Sequence, residues 1–146
     1  MNGMIVAPEP LAAQAGVEAF RRGGNAADAA VATAFALAVT HPTAGNIGGG
    51  GFMVVHTNDG RVTAFDFREK APAAAHERMY LDANENYIRG LNHEGYLAVG
   101  VPGTVAGFSL AHEKLGSKPM AELIAPAIQL AEKVFQLTWD LNDDFK

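Results

Sequence analysis

Residues 48 to 68, Gly48-Gly49-Gly50-Gly51-Phe52-Met53-Val54-Val55-His56-Thr57-Asn58-Asp59-Gly60-Arg61-Val62-Thr63-Ala64-Phe65-Asp66-Phe67-Arg68, run from four consecutive glycines into a β hairpin. Phe52 to Thr57 has the β-branched and aromatic content of a strand. Asn58-Asp59-Gly60 supplies a turn, because Asp and Gly tolerate the positive φ of tight hairpins. Arg61 to Arg68 returns with alternating faces, Val62, Ala64 and Asp66 on one and Thr63, Phe65 and Phe67 on the other. A two-stranded unit is marginal alone, so the hairpin is expected to belong to a larger sheet, with strands supplied by chain outside this sequence.

Helices are expected on both sides. Leu11 to Arg22 begins after Pro10, a residue suited to the first helical position, and repeats Ala13, Gly16, Val17 and Phe20 along one face. Gly23-Gly24 stops it. Asn25 is placed to cap a second helix, Ala26 to Thr40, with Asp28 at the positive end of its dipole. His41-Pro42 ends that helix. Ala29 to Val39 is apolar on nearly every face, which predicts a helix buried all round. Farther on, Ala71 to Gly95 reads mostly as loop, Tyr96 to Gly100 as a short strand, and Thr104 to Leu115 as a third helix capped by Gly103 or Thr104. Pro126 is expected to divide Met120 to Ala125 from Ala127 to Phe135, and the tail from Trp139 to Lys146 shows no closing signal. No repeat, linker or domain boundary interrupts the chain, whose 146 residues suit about one domain.

Composition removes whole classes of function. Eleven Lys and Arg against sixteen Asp and Glu give a net charge of -5, so no basic field recruits nucleic acid or anionic lipid. The absence of cysteine excludes a disulfide framework, a thiolate nucleophile and a thiolate metal site within this sequence. His41, His56, His76, His93 and His112 never stand at the spacing of paired helical metal ligands. No metal site and no cofactor is expected. The eleven residues from Ala29 to Val39 fall well short of the ~20 that span a bilayer. Arg21-Arg22 before that stretch only loosely imitates a signal peptide, because Asp28 abuts it, and no export signal is expected in the sequence as it stands.

Three places invite chemistry. Gly48, Gly49, Gly50 and Gly51 require a close backbone approach, either as a tight lead into a strand packed on the alanine-rich helix or as a loop shaping a small-molecule pocket. A phosphate loop is a poor fit, since Phe52-Met53 and a strand follow where Lys-Ser/Thr and a helix belong. Arg68 stands at the end of a strand, where a guanidinium can grip a carboxylate through two parallel hydrogen bonds; on the residues alone, an ion pair with Asp66, Glu69 or a distant acid is the better-supported reading. Gly100 to Gly107 leads into the third helix and exposes free backbone N–H groups or allows close helix–sheet packing. No serine or threonine, including Ser109, Ser117 and Thr104, sits in a nucleophile elbow or at the chain start with a free amine as its base.

Four motifs in order resemble one family: Gly23-Gly24-Asn25-Ala26-Ala27-Asp28-Ala29-Ala30, Gly45-Asn46-Ile47-Gly48-Gly49-Gly50-Gly51-Phe52-Met53, Asp66-Phe67-Arg68-Glu69-Lys70-Ala71-Pro72, and Val99-Gly100-Val101-Pro102-Gly103-Thr104-Val105-Ala106-Gly107. They resemble the γ-glutamyltranspeptidases, members of the N-terminal-nucleophile hydrolases, and Ala125-Pro126-Ala127-Ile128-Gln129-Leu130-Ala131 extends the match. The resemblance implies an α+β chain: a fragment of an αββα sandwich, with residues 1–146 as one partial domain at the N-terminal end of the large subunit of a self-cleaving precursor. It implies a nucleophilic threonine on a small subunit outside this chain, so that residues 1–146 alone are inactive. Glutathione or another γ-glutamyl compound is the implied substrate, and a periplasmic or extracellular location the implied compartment. Carried to this sequence, the resemblance makes Arg68 the residue that binds the α-carboxylate of the γ-glutamyl group. Glu69 is then its orienting neighbour and Gly48 to Gly51 a backbone element beside the site. A cephalosporin-acylase-like or poly-γ-glutamate-cleaving relative, and a non-catalytic amino-acid-binding fragment, are the alternatives. Asn46-Ile47 leans toward the γ-glutamyl branch.

Overall fold

The computed structural model describes residues 3 to 144; the first two residues, and the end of the tail read from Trp139 to Lys146, lie outside the described residues. In chain order the elements are α1 (Pro10–Arg21), α2 (Ala26–Thr40), β1 (Phe52–His56), β2 (Val62–Asp66), a 3₁₀ turn (Tyr96–Ala98), α3 (Thr104–Leu115), α4 (Met120–Glu132) and α5 (Trp139–Asp144).

The centre is α2, whose residues Ala27, Asp28, Ala29, Val31, Ala32, Thr33, Phe35, Ala36 and Thr40 are all buried. Small side chains let α1, α4 and α3 close in around it. The first helix turns a slightly different face inward from the one its spacing suggests: Ala12, Ala15, Gly16 and Ala19 are buried, whereas Ala13, Val17 and Phe20 lie at the flank. The reason is closeness. A side chain at Gly16 would collide with Thr33 Oγ1 of α2, so the smallest residues, rather than the largest, mark the contact. The core continues through Phe35, Phe108, Leu123 and Ala127, with Phe108 edge-on to both Phe35 at 5.3 Å and Phe67 at 5.5 Å, an arrangement favoured by the ring quadrupoles.

The junction of α1 and α2 is built as its residues suggest. Gly23 has φ +80°, and Gly23 N donates to Phe20 O while Gly24 N donates to Ala19 O, the paired bonds of a left-handed helix stop. Asn25 Oδ1 accepts from the amides of Ala27 at 2.9 Å and Asp28 at 3.1 Å, and Asp28 Oδ2 accepts from Asn25 N at 2.8 Å. This reciprocal cap satisfies donors that the first turn would leave bare. Asp28 does more than cap: Oδ1 accepts from the amides of Ser117 (2.9 Å) and Lys118 (3.3 Å), and Oδ2 from Ser117 Oγ (2.6 Å). One buried carboxylate therefore joins the start of α2 to the loop between α3 and α4.

The hairpin pairs antiparallel in the register Phe52↔Asp66, Met53↔Phe65, Val54↔Ala64, Val55↔Thr63 and His56↔Val62, with one further bond from Phe67 N to Gly51 O. Its inner face carries the buried Phe65 and, packed on the core, Met53 and Phe67. On the outer face Phe52, Val54 and Val62 remain exposed. The stretch from Ala71 to Gly95 is turns and loop apart from an isolated bridge, Leu81↔Tyr87.

Two expectations are corrected. Tyr96 to Gly100 is not a strand: Gly95 at φ +81° starts a turn, Ala98 N donates to Gly95 O, and Tyr80 Oη donates to Leu97 O. The pairing capacity of this region falls instead on Val101, which exchanges two backbone bonds with Lys70. Nor does Pro126 divide the fourth helix, which runs unbroken from Met120 to Glu132. Leu123 and Ala127, on either side of the proline, are buried against the core, and that burial offsets the ~3 kcal/mol an internal proline costs. Among the described residues no helix is long and apolar enough to cross a membrane.

The Asp28 joint yields a stability prediction. Burial by itself pushes the Asp28 carboxyl up, but hydrogen bonds from the Ser117 side chain and from the amides of Asn25, Ser117 and Lys118 outweigh it and hold the group below its ordinary value. A depressed folded pKa adds stability that is complete above the unfolded value near ~4 and fades as pH falls through the folded one. Asp28→Asn places an NH2 group among donors and is expected to cost about 3 kcal/mol at pH 7, read from urea unfolding, with the gap to wild type narrowing toward pH 3. An unchanged midpoint at pH 7 would show that the joint is dispensable.

Candidate functional site

Arg68 emerges at the end of β2, where an Asx-type bond from Arg68 N to Asp66 Oδ1 (3.0 Å) turns the chain out of the sheet. Its Nε donates to Glu69 Oε2 at 3.1 Å, and the guanidinium carbon lies 5.8 Å from the centroid of the Phe52 ring, within cation–π range. The side chain is 63% exposed. Among the described residues no hydrogen bond or ion pair engages its two terminal nitrogens. The Glu69 carboxyl is held below its ordinary value first by its own backbone amide, then by Arg68, with a further bond from the amide of Gly50.

Two glycine-bearing segments make room for this turn. A Cβ on Gly50 would stand 2.6 Å from Phe67 O, 2.7 Å from Glu69 N and 2.8 Å from Arg68 Cα, so the run lies directly on the backbone of residues 67 to 69. In the second segment a Cβ on Gly103 would collide with Phe67 O, one on Gly107 with the Phe67 ring, and one on Gly100 would press at 3.1 Å on Glu69 Cβ. The glycines of the two motifs thus pack on one strand end. Gly51 abuts the Phe67 ring, while Gly48 faces open space. The run therefore divides into positions that need glycine for packing and one, Gly48, that does not.

The segments are also joined to each other. Gly49 O accepts from Gly103 N at 2.8 Å and Thr104 N at 3.0 Å, which satisfies the leading amides of α3 without a capping side chain. Gly49 N donates to Asn46 Oδ1 at 2.9 Å, and Thr104 Oγ1 donates to the same oxygen at 2.7 Å. The sequence offers Thr104 as a possible helix cap and Asn46 as part of a motif, and gives no sign that the two meet. The one local signal is an Asn three residues before a glycine amide, the spacing of a side-chain-to-backbone turn.

Two clefts adjoin the strand end at Phe67, one lined by Asp66, Arg68, Lys70, Val101, Pro102 and Leu110, and another by Ala34, Leu37, Asn46, Phe52, Met53 and Thr104. The first is largely apolar with Arg68 at its rim, which suits a small carboxylic acid with an aliphatic body. Among the described residues no group of three or more His, Asp or Glu could hold a metal ion.

Comparison with known proteins agrees with the four motifs. A family model described as gamma-glutamyltranspeptidase matches residues 12–146. The chain is 54% identical to the glutathione hydrolase proenzyme of Pseudomonas sp. (strain A14) and 49% identical to that of Escherichia coli (strain K12), in each case over 99% of its own length. It spans 26% and 25% of those proteins, about a quarter of the curated relatives it matches. Its fold superposes on the crystal structure of Helicobacter pylori gamma-glutamyltranspeptidase with a TM-score of 0.92 at 49% identity, over 97% of this chain and 41% of that one. The helices and antiparallel hairpin are accordingly an α+β portion of an N-terminal-nucleophile hydrolase. By motif order, sequence identity and fold, the chain belongs to the γ-glutamyltranspeptidase family.

Proposed function

We propose that residues 1–146 form the N-terminal portion of the large subunit of a γ-glutamyltransferase, a glutathione hydrolase that releases the γ-glutamyl group of glutathione to water or to an amino acid. The observation that carries this reading is Arg68. Glu69 occupies Nε, and the two terminal nitrogens remain for a bidentate grip on an α-carboxylate. The strand end is packed against glycine backbone at Gly50 and Gly103, so a bound carboxylate would meet a guanidinium on closely packed main chain.

The chemistry would then be divided between this chain and a small subunit. A threonine hydroxyl on the small subunit, its proton passing to the threonine's own α-amine, attacks the γ-carbonyl carbon. The amide C–N bond breaks, the amine leaves with that proton, and an ester to the glutamyl group remains. Water or an amino-acid amine attacks the ester in turn. Backbone donors stabilise the oxyanion of each step. The part of this chain is to hold the donor by its carboxylate so that the γ-carbonyl arrives in register, a contribution of position rather than of covalent chemistry. Outer-face residues Phe52, Val54 and Val62 support the same division, since an apolar sheet face left in water marks where further structure packs. On the family resemblance, the compartment is periplasmic or extracellular. The cephalosporin-acylase and poly-γ-glutamate readings are not favoured beside relatives that are glutathione hydrolases at about half identity.

Two measurements on the mature, full-length protein test this function. Arg68→Ala removes two charge-assisted bonds and is expected to lower kcat/KM for γ-glutamyl donors about 100-fold, chiefly through KM. Unchanged kinetics would refute the carboxylate role. In the glycine run, Gly50→Ala drives a methyl into the backbone of residues 67 to 69 and is expected to abolish maturation or activity. Gly48→Ala meets nothing within 4 Å and should retain both, with stability within about 0.5 kcal/mol of wild type. Equal tolerance at the two positions would leave the run without a site-shaping role.

A further inference from the structure

We propose that Asn46 and Thr104 are a positioning pair that sets the guanidinium of Arg68, and through it the selectivity of the site for donors that carry an α-carboxylate. The inference rests on Arg68 being the carboxylate grip. Thr104 is 3% exposed at the first position of α3, a place where a threonine hydroxyl is free to serve something other than its own helix. It donates at 2.7 Å to Asn46 Oδ1 across 58 residues of sequence, and the same oxygen accepts the amide of Gly49 at 2.9 Å. The carbonyl of Gly49 meanwhile receives the amides of Gly103 and Thr104. Gly49 is therefore held at both of its polar atoms, once through Asn46 and once by the start of α3.

From that fixed residue the path to the guanidinium is one residue long. Gly50 lies on the backbone of residues 67 to 69, where an added Cβ would stand 2.7 Å from Glu69 N and 2.8 Å from Arg68 Cα, so the placement of Gly50 bears directly on that of Glu69. Glu69 in turn accepts from Arg68 Nε. With the Thr104 hydroxyl removed, Asn46 Oδ1 keeps only the Gly49 amide, the tie between this segment and α3 narrows to the two bonds at Gly49 O, and the strand end packed on Gly50 gains freedom. Neither Asn46 nor Thr104 is among the hydrogen-bond partners of Arg68. Their effect is on where the fork of nitrogens sits, to which a bidentate contact is sensitive.

The test compares two substrates in the mature, full-length protein: a γ-glutamyl anilide and a 4-aminobutyryl anilide, which offers the same amide and amine without the α-carboxylate. The quantity read is the ratio of their kcat/KM values. Thr104→Val keeps the shape and removes the hydroxyl; it is expected to lower the ratio about five- to tenfold, through KM for the γ-glutamyl substrate, and Thr104→Ser to restore it. Asn46→Ala, at an exposed position, is expected to lower the ratio similarly and serves alone if Thr104→Val fails to mature. Arg68→Ala runs beside them. If it collapses the ratio while Thr104→Val and Asn46→Ala leave it at wild type, even with both rates reduced, the pair is merely structural and the inference is overturned while the grip stands. If Arg68→Ala leaves the ratio unchanged, the carboxylate reading fails and the inference falls with it.

Discussion

The structure depends on one close approach: Gly50 and Gly103 pack on the backbone of residues 67 to 69, and Gly100 and Gly107 on the side chains of Glu69 and Phe67. No side chain larger than hydrogen fits at Gly50, Gly103 or Gly107 without displacing main chain or an aromatic ring. The glycine content of the two motifs is thus a packing requirement, met at a conformational cost of roughly 0.5–1 kcal/mol per residue relative to alanine. What the cost secures is a strand end with little freedom. Arg68 is exposed enough to meet a solute, while the main chain that carries it, at the open end of the hairpin, is packed against glycine backbone.

Behind that strand end, the helical layer is organised by size and by charge. The alanines of α1 and α2 permit helices to approach until Gly16 nearly touches Thr33, and the aromatic series Phe35, Phe108 and Phe67 carries the packing from α2 through α3 to the strand. Asp28 brings charge into the same layer. Its carboxylate accepts four bonds from three residues of two segments, which compensates for removing it from water. The same group that caps α2 therefore fixes how α3 gives way to α4.

How much of this could be read from residues alone follows from distance along the chain. The helix stop at Gly23, the cap at Asn25, the hairpin with its alternation and the end of α2 at His41-Pro42 depend on residues within a few positions of one another, and they stand as read. The inward face of α1 was displaced by one residue because spacing alone favours large apolar side chains, whereas the contact with α2 selects small ones. At Pro126 burial of Leu123 and Ala127 outweighs the local rule, and Tyr96 to Gly100 departs from its strand pattern because no strand among the described residues pairs with it. Arg68 was legible as a candidate, being conspicuous at a strand end. The Asn46–Thr104 contact and the Asp28–Ser117 contact were not, since they join residues 58 and 89 positions apart, and nothing in either local pattern names its partner.

The two backbone bonds between Lys70 and Val101 close the base of the excursion that runs from residue 71 to residue 100. Closing a loop costs little more when the loop is longer, about 0.6 kcal/mol for each doubling. Insertions or deletions beyond that clamp can therefore accumulate over evolutionary time without moving Arg68. Such a segment, mostly exposed and held in turns, is free to vary in length and chemistry beside a fixed anchor. Length and composition can drift there while the strand end beneath the clamp, packed on Gly50 and Gly103, keeps its place.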